Sequence, residues 1–69
     1  MLSPKKIVEI AIIENWLSPR DKKIMSMKYG IGRAPENLNV ISQETKLGMM
    51  KIHYLTQNIL EDIRLKIYN

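Results

Sequence analysis

The sequence predicts an all-α, four-helix compact domain, and three observations lead to this prediction. A Ser-Pro pair occurs at 3–4 and again at 18–19, and each places a capping hydroxyl before a proline at the first helical position. No segment alternates between apolar and polar residues as a half-buried strand would. Near the C-terminus, apolar residues recur at helical spacing, at Ile52, Leu55, Ile59, Ile63 and Ile67.

The first helix is predicted from Pro4 to Asn15, and it carries more apolar side chains than one buried face needs. These residues nearly encircle the helix: Ile7, Val8, Ile10, Ala11, Ile12 and Ile13. One face packs on the core, and the other meets the rest of this chain, a second copy or a larger partner. We favour an intermolecular contact and assign Ile10 and Ile13 to it as candidate partner-binding residues.

The second helix is predicted to begin at Pro19, with Ser18 as its cap. Asp21 stands at the third helical position, where a carboxylate can reach back to the cap. Gly30 ends this helix, because glycine adopts the left-handed conformation at low cost. Residues 31–37 contain Gly32 and Pro35 and predict a loop.

A short third helix is predicted from Leu38 to Thr45, with Asn37 as its cap and with Leu38 and Ile41 buried. Lys46-Leu47-Gly48 follows as a tight turn with one apolar residue. The last helix is predicted from Met49 to Ile67. A short helix, a tight turn and a longer amphipathic helix form the pattern of a helix-turn-helix, which many helical domains share.

The segment before this pattern is more specific. The stretch "LSPRDKKIMSMKYGIG" at 17–32 resembles the opening of region 4 of bacterial primary-type sigma factors. The residues that fall in step with the family are Leu17, Pro19, Arg20, Asp21, Ile24, Met25, Lys28, Tyr29, Gly30 and Ile31. After the loop the match runs without a gap from Ile41 to Arg64, so the resemblance covers about residues 17–64. We therefore treat 1–69 as one domain, with the apolar first helix at 1–16 and the region 4 match at 17–67.

The resemblance implies two roles. In the family, the recognition helix enters the major groove of the promoter −35 element, and an apolar face holds the flap-tip helix of the RNA polymerase β subunit. Carried onto this chain, the candidate DNA-binding residues are Arg20, Lys46, Met49, Met50, Lys51, His53 and Tyr54. Further phosphate contacts are open to Lys22, Lys23, Lys28 and Arg33.

The chain departs from the family at the positions that read bases. Where the family usually has Arg-Glu and then Arg-Gln, this chain has Met49-Met50 and His53-Tyr54, and Glu61 and Asp62 make its tail acidic. Methionine can contact a thymine methyl group but donates no hydrogen bond. The alternatives are that Met49, and less readily Met50, packs into the core, that His53 is a solvated surface residue, and that Tyr54 is half-buried.

Composition narrows the function classes. The net charge of +4 and the pI near 9.6 suggest a polyanionic partner. With no cysteine and one histidine, we expect no disulfide, no metal site and no cofactor. The longest apolar stretch, Ile7 to Ile13, contains Glu9 and is far shorter than the ~20 residues that cross a bilayer. No signal peptide is apparent, so we expect a cytoplasmic, nucleoid-associated protein without a membrane partner.

No catalytic constellation is recognisable, so we expect no enzyme. The leading hypothesis is a stand-alone transcription regulator or sigma-like subunit, bacterial or from a bacteriophage, that docks on RNA polymerase, promoter DNA or both. A piece of a split factor, a co-regulator and an excised domain stay open, and the initial Met favours a complete small protein. The alternative is a protein-interaction module that kept the fold and lost sequence-specific DNA reading. It would bind the polymerase flap, a sigma factor, or itself through the first helix.

Overall fold

The computed structural model describes all 69 residues and contains four α-helices and no strand. The helices are α1 (Pro4–Ile13), α2 (Pro19–Tyr29), α3 (Leu38–Thr45) and α4 (Met49–Tyr68). The all-α prediction is confirmed, and each helix lies where the sequence places it to within two residues. None of the helices combines the length and the hydropathy that crossing a membrane requires.

The caps explain why the helices begin where they do. Ser3 and Ser18 hydroxyls accept hydrogen bonds from the backbone N–H groups of Lys6 and Asp21, at 3.2 and 3.1 Å. The side chain of Asn37 accepts from the N–H of Val40 at 3.1 Å. Each cap satisfies one of the N–H groups that a helix leaves without a partner at its start.

Two details of the predicted helix ends are wrong. α1 ends at Ile13 rather than Asn15, because Asn15 takes a left-handed backbone conformation with φ of 59°. The amide of Trp16 then bonds back to the carbonyl of Ala11 at 2.9 Å and closes the end of the helix. The carboxylate of Asp21 makes no hydrogen bond to the cap of α2; its Oδ1 accepts from the guanidinium of Arg20 at 3.2 Å.

α4 and α2 each pack against the other three helices, and α4 is the longer of the two. Its 20 residues span about 30 Å, close to the 34 Å length of the whole domain. α2 also contacts both α1 and α3, whereas α1 and α3 do not touch each other. The domain therefore has an α1 end, at the C-terminal half of α4, and an α3 end, at its N-terminal half.

Each end has its own apolar cluster. The cluster at the α1 end joins Ile7, Val8 and Ala11 of α1 to Met25 of α2 and to Ile59, Leu60 and Ile63 of α4. The cluster at the α3 end joins Ile24 and Met27 of α2 to Ile41 of α3 and Ile52 of α4. Leu38, which we expected to be buried, is half-buried at the margin of this second cluster, and so is Leu55. The short α3 covers too little of the cluster to enclose them.

α1 is less exposed than its encircling apolar residues suggest. Ile10 and Ile12 are half-buried within the domain, and only Ile13 points clearly to solvent, with 79% of its surface exposed. The predicted partner-binding pair is thus split. Ile10 is covered in part by its own chain, and Ile13 is free.

Candidate nucleic-acid interface

The turn between α3 and α4 is fixed by short-range hydrogen bonds. Lys46, rather than Gly48, takes the left-handed conformation, with φ of 64°. The hydroxyl of Ser42 donates to the carbonyl of Leu47 at 2.6 Å, and that of Thr45 donates to the carbonyl of Ile41 at 2.7 Å. Leu47 packs on the cluster at the α3 end. The turn therefore holds the first residue of α4 in a defined position against α3.

The start of α4 has no side-chain cap, unlike the other three helices. Gly48 occupies the cap position in an extended conformation, and no side chain accepts a hydrogen bond there. The first N–H groups of α4, at the positive end of its dipole, consequently have no side-chain acceptor.

Six of the seven predicted DNA-binding residues lie close to one another. Five of them are on the exposed side of the first three turns of α4. Lys46 lies exposed in the preceding turn. We define the α4 face as the exposed side chains of Met49, Met50, Lys51, His53, Tyr54, Gln57 and Asn58. Residues four apart on a helix lie one above the other, so Met50, Tyr54 and Asn58 form one row and Met49, His53 and Gln57 form the row beside it.

The exposures decide the alternatives left open by the sequence for Met49, Met50 and Tyr54. Met49 is 43% exposed and Met50 65% exposed, so neither packs into the core. Tyr54 is 59% exposed, and its ring meets that of His53 edge-on with centroids 5.5 Å apart. A thioether pair and an aromatic pair therefore stand open to solvent on one helix face.

Gln57 and Asn58 belong to this face, although our sequence analysis did not select them. Their spacing of four residues from His53 and Tyr54 is the signal that would have found them. Side-chain amides can donate to and accept from an adenine edge at the same time. They add to the face the directed hydrogen bonding that methionine lacks.

Charge divides α4 into two halves. From Lys46 to Leu60 the chain contains no Asp or Glu, and both Lys46 and Lys51 are free of ion pairs. One turn further along, Glu61 and Asp62 continue the two rows of the α4 face with carboxylates. Only the first three turns of α4 therefore present a surface that a polyanion would meet without like-charge repulsion.

Lys28 brings a further cation beside α4. Its Nζ donates to the hydroxyl of Thr56 at 3.2 Å, and that hydroxyl donates in turn to the carbonyl of His53 at 2.9 Å. Thr56 is fully buried, so this chain of hydrogen bonds joins the end of α2 to the inner side of α4. It fixes the helix turn that carries His53.

The remaining predicted cations are placed less favourably. Arg20 stands at the start of α2 and is paired with Asp21 at 3.2 Å. Asp21 lines a cleft at the C-terminal half of α4, so Arg20 lies by that half and apart from residues 46–54. Lys23 is paired with Glu44 at 3.9 Å and Arg33 with Glu36 at 3.5 Å, whereas Lys22 has no ion pair.

The cleft near Asp21 is small. It has a volume of about 150 Å³, and its lining consists of Trp16, Leu17, Asp21, Ile59, Asp62, Ile63 and Lys66. The Nζ of Lys66 lies 5.5 Å from the centre of the Trp16 ring, within cation–π range. No group of three or more His, Cys, Asp or Glu side chains is arranged to hold a metal ion.

No known family, curated protein or solved structure matches this chain. The resemblance to sigma region 4 therefore stays a prediction from the residues quoted above.

Proposed function

We propose that this chain is a small helix-turn-helix module of bacterial or bacteriophage transcription that docks on promoter DNA, RNA polymerase or both. α3 and α4 would form the helix-turn-helix, and the first three turns of α4 would enter the major groove. The observation that carries the proposal is the α4 face, which is exposed, free of carboxylates and includes Lys51, with Lys46 in the preceding turn.

The dimensions of α4 support this docking mode. Residues 49–58 extend about 14 Å along the helix, and the major groove is about 12 Å wide. Glu61 and Asp62 begin one turn later and would be repelled by phosphates. We therefore propose that α4 inserts by its N-terminal end, with Glu61 and Asp62 outside the groove.

The free cations support a modest electrostatic contribution. Lys46 in the turn before α4 and Lys51 on the α4 face would each neutralise one phosphate. Such contacts give affinity and orientation but no sequence information. Each contact steepens the salt dependence of binding, because it releases counterions condensed on the duplex.

The test measures binding to a fluorescent duplex at several salt concentrations. Each phosphate contact predicts about a 3.5-fold loss of affinity between about 50 and 200 mM salt, so two contacts predict roughly a tenfold loss. The variant Lys46→Gln with Lys51→Gln should lose most of this dependence. Lys5→Gln with Lys6→Gln on α1 is the matched control, since it removes the same charge from the other end of the domain.

Two results would contradict the proposal. Equal salt dependence in the two double variants would place the DNA interface away from α4. If neither the wild type nor either variant binds any duplex at low salt, and circular dichroism shows that all three are folded, DNA docking is excluded altogether.

A second candidate function is a protein-interaction module, and exposed apolar side chains favour it. Ile13 is 79% exposed, and Trp16 borders the small cleft beside Asp62 and Lys66. The partner would be the polymerase flap, a sigma factor or a second copy of this chain. Affinity capture from the native host after nuclease treatment tests this candidate. Recovery of RNA polymerase by the wild type but not by Ile13→Asp would support it, and recovery of neither polymerase nor a sigma factor would leave only self-association.

A further inference from the structure

We infer that the α4 face reads thymine-rich DNA through apolar contacts to thymine C5-methyl groups. This inference rests on the proposed function, because it names the DNA that the same face would select. It differs from readout by arginine and glutamine, which selects base pairs through hydrogen bonds. The chemistry of the exposed side chains, their position on the helix and the charge around them lead to it.

The centre of the α4 face is apolar. Met50 and Tyr54 stand one turn apart in the middle of the exposed side and are 65% and 59% exposed. Met49, at 43%, borders them. A thioether has no hydrogen to donate and accepts only weakly, so Met49 and Met50 cannot discriminate bases by directed hydrogen bonds. In the major groove, the C5-methyl of thymine is the apolar group that such side chains can cover.

The α4 face lacks arginine, the side chain that most often reads guanine. No arginine lies between Arg33 and Arg64, so the α4 face cannot make the bidentate arginine contact that most often selects guanine. Lys51 is the one cation on the first three turns of α4. It precedes the buried Ile52 and lies one turn before the half-buried Leu55, which puts it at the margin of the face. From that position it is directed to the phosphate backbone.

The third turn of α4 carries two amide side chains that can bind the adenine opposite a contacted thymine. Gln57 and Asn58 are exposed and stand one turn after His53 and Tyr54. Their amides can bond to the N6 and N7 atoms of adenine, the base paired with thymine. Apolar contacts near the start of α4 and amide contacts in its third turn therefore favour the same kind of base pair, A·T.

The experiment removes the methyl group and leaves the base pairing unchanged. Binding is measured at low salt to an alternating A·T duplex and to the same duplex with every thymine replaced by deoxyuridine. Burying one methyl group is worth about fourfold in affinity, so two contacts predict a loss of roughly 10- to 20-fold. A G·C duplex gives the converse test, because replacing its cytosines by 5-methylcytosine should raise affinity.

Matched variants assign the effect to α4. Met50→Ala should bring the thymine-to-uridine affinity ratio down by about fourfold. Leu65→Ala is the control, because Leu65 is similarly exposed, at 57%, on the C-terminal half of α4, outside the α4 face. It should leave the ratio unchanged. Both side chains are exposed, so both variants should fold.

The outcomes separate this inference from the function on which it rests. Salt-dependent binding with equal affinity for the thymine and uridine duplexes would overturn methyl readout and leave DNA docking in place. A ratio unchanged by Met50→Ala would overturn the assignment to the α4 face. Absence of binding to any of the duplexes would overturn both the inference and the DNA-binding function.

Discussion

The glycine that ends α2 provides a sharp test of how the loop before α3 is held. Gly30 is buried and has φ of 68°, and a Cβ added there would lie 2.7 Å from Cδ of Pro35 and 2.9 Å from its nitrogen. Gly32, two residues later, has φ of 72° with no atom within 4 Å of an added Cβ. The two positions share the left-handed conformation and differ in the space around them, so Gly32→Ala is a matched control for Gly30→Ala.

The expected magnitudes follow from this difference. A left-handed L-residue costs about 1–2 kcal/mol, and the loss of unfolded-chain freedom returns about 0.4–1 kcal/mol. Gly32→Ala should therefore lower the free energy of unfolding by about 1 kcal/mol or less. Gly30→Ala has the same cost from the left-handed conformation. The overlap of its Cβ with the rigid ring of Pro35 adds about 1–3 kcal/mol, which is the usual cost of overpacking.

The overlap at Gly30 cannot be relieved locally, which is why we expect the larger cost. Glu36 follows Pro35 and donates its amide to the carbonyl of Met27 at 2.8 Å, so the loop is tied back to α2. Moving Pro35 away would strain this bond and shift the start of α3. For a domain of 69 residues, with a total stability of about 3–10 kcal/mol, a cost of 2–4 kcal/mol is a large fraction.

Equilibrium urea unfolding, followed by far-ultraviolet circular dichroism and by Trp16 fluorescence, gives the two free energies of unfolding. Coincident transitions by the two probes would justify a two-state treatment. If Gly30→Ala proved no more destabilising than Gly32→Ala, the contact with Pro35 would not restrain the loop and the reasoning would be refuted.

Two further predictions concern the α1 end of the domain. Burial raises the pKa of Tyr29 above its ordinary value of 10.0, against a smaller lowering by the charge of Arg64. Its contribution to stability is therefore complete below pH 10 and is lost as the pH rises through the folded-state pKa. Tyr29→Phe should consequently lose less stability than the wild type in alkaline urea titrations, and an identical alkaline loss would contradict the raised pKa that partial burial gives Tyr29. Ile13→Asp should change the free energy of unfolding by no more than about 0.5 kcal/mol, because this side chain is exposed. If α1 mediates self-association, sedimentation velocity should find a dimer for the wild type and a monomer for Ile13→Asp, and a monomeric wild type at high concentration would exclude that role.

Much of the candidate interface was predictable because it depends on local rules. The row positions of Met50, His53 and Tyr54 follow from the apolar spacing of α4, since residues on the side opposite the buried stripe face solvent. Gln57 and Asn58 obey the same rule and were missed because the selection followed the family's reading positions. Their exposure on the same face is visible only when α4 is considered as a whole surface.

Other features of the interface depend on contacts between distant segments. The alternatives for Met49 stayed open in the sequence, because its helical position lies at the margin of the buried stripe and the extent of α3 decides whether it is covered. The pairing of Lys28 with Thr56 joins residues 28 positions apart and is invisible to periodicity. Ion pairing reduces the availability of Lys23, whose partner Glu44 lies on another helix.

The sequence by itself determined the helical class, the helix starts and the sequence segment proposed to meet DNA. The helical class and the helix starts depend on neighbours within about four residues: a capping hydroxyl, a proline, or apolar side chains at helical spacing. The segment proposed to meet DNA came from the resemblance to sigma region 4 over residues 17–64. Only the tertiary structure decided that the core divides into two clusters, that Ile10 is half-covered while Ile13 is free, and that Arg20 lies apart from the α4 face. These outcomes depend on how α1, α2 and α3 dock on α4, and docking is set by the fit of side chains that are far apart in the chain.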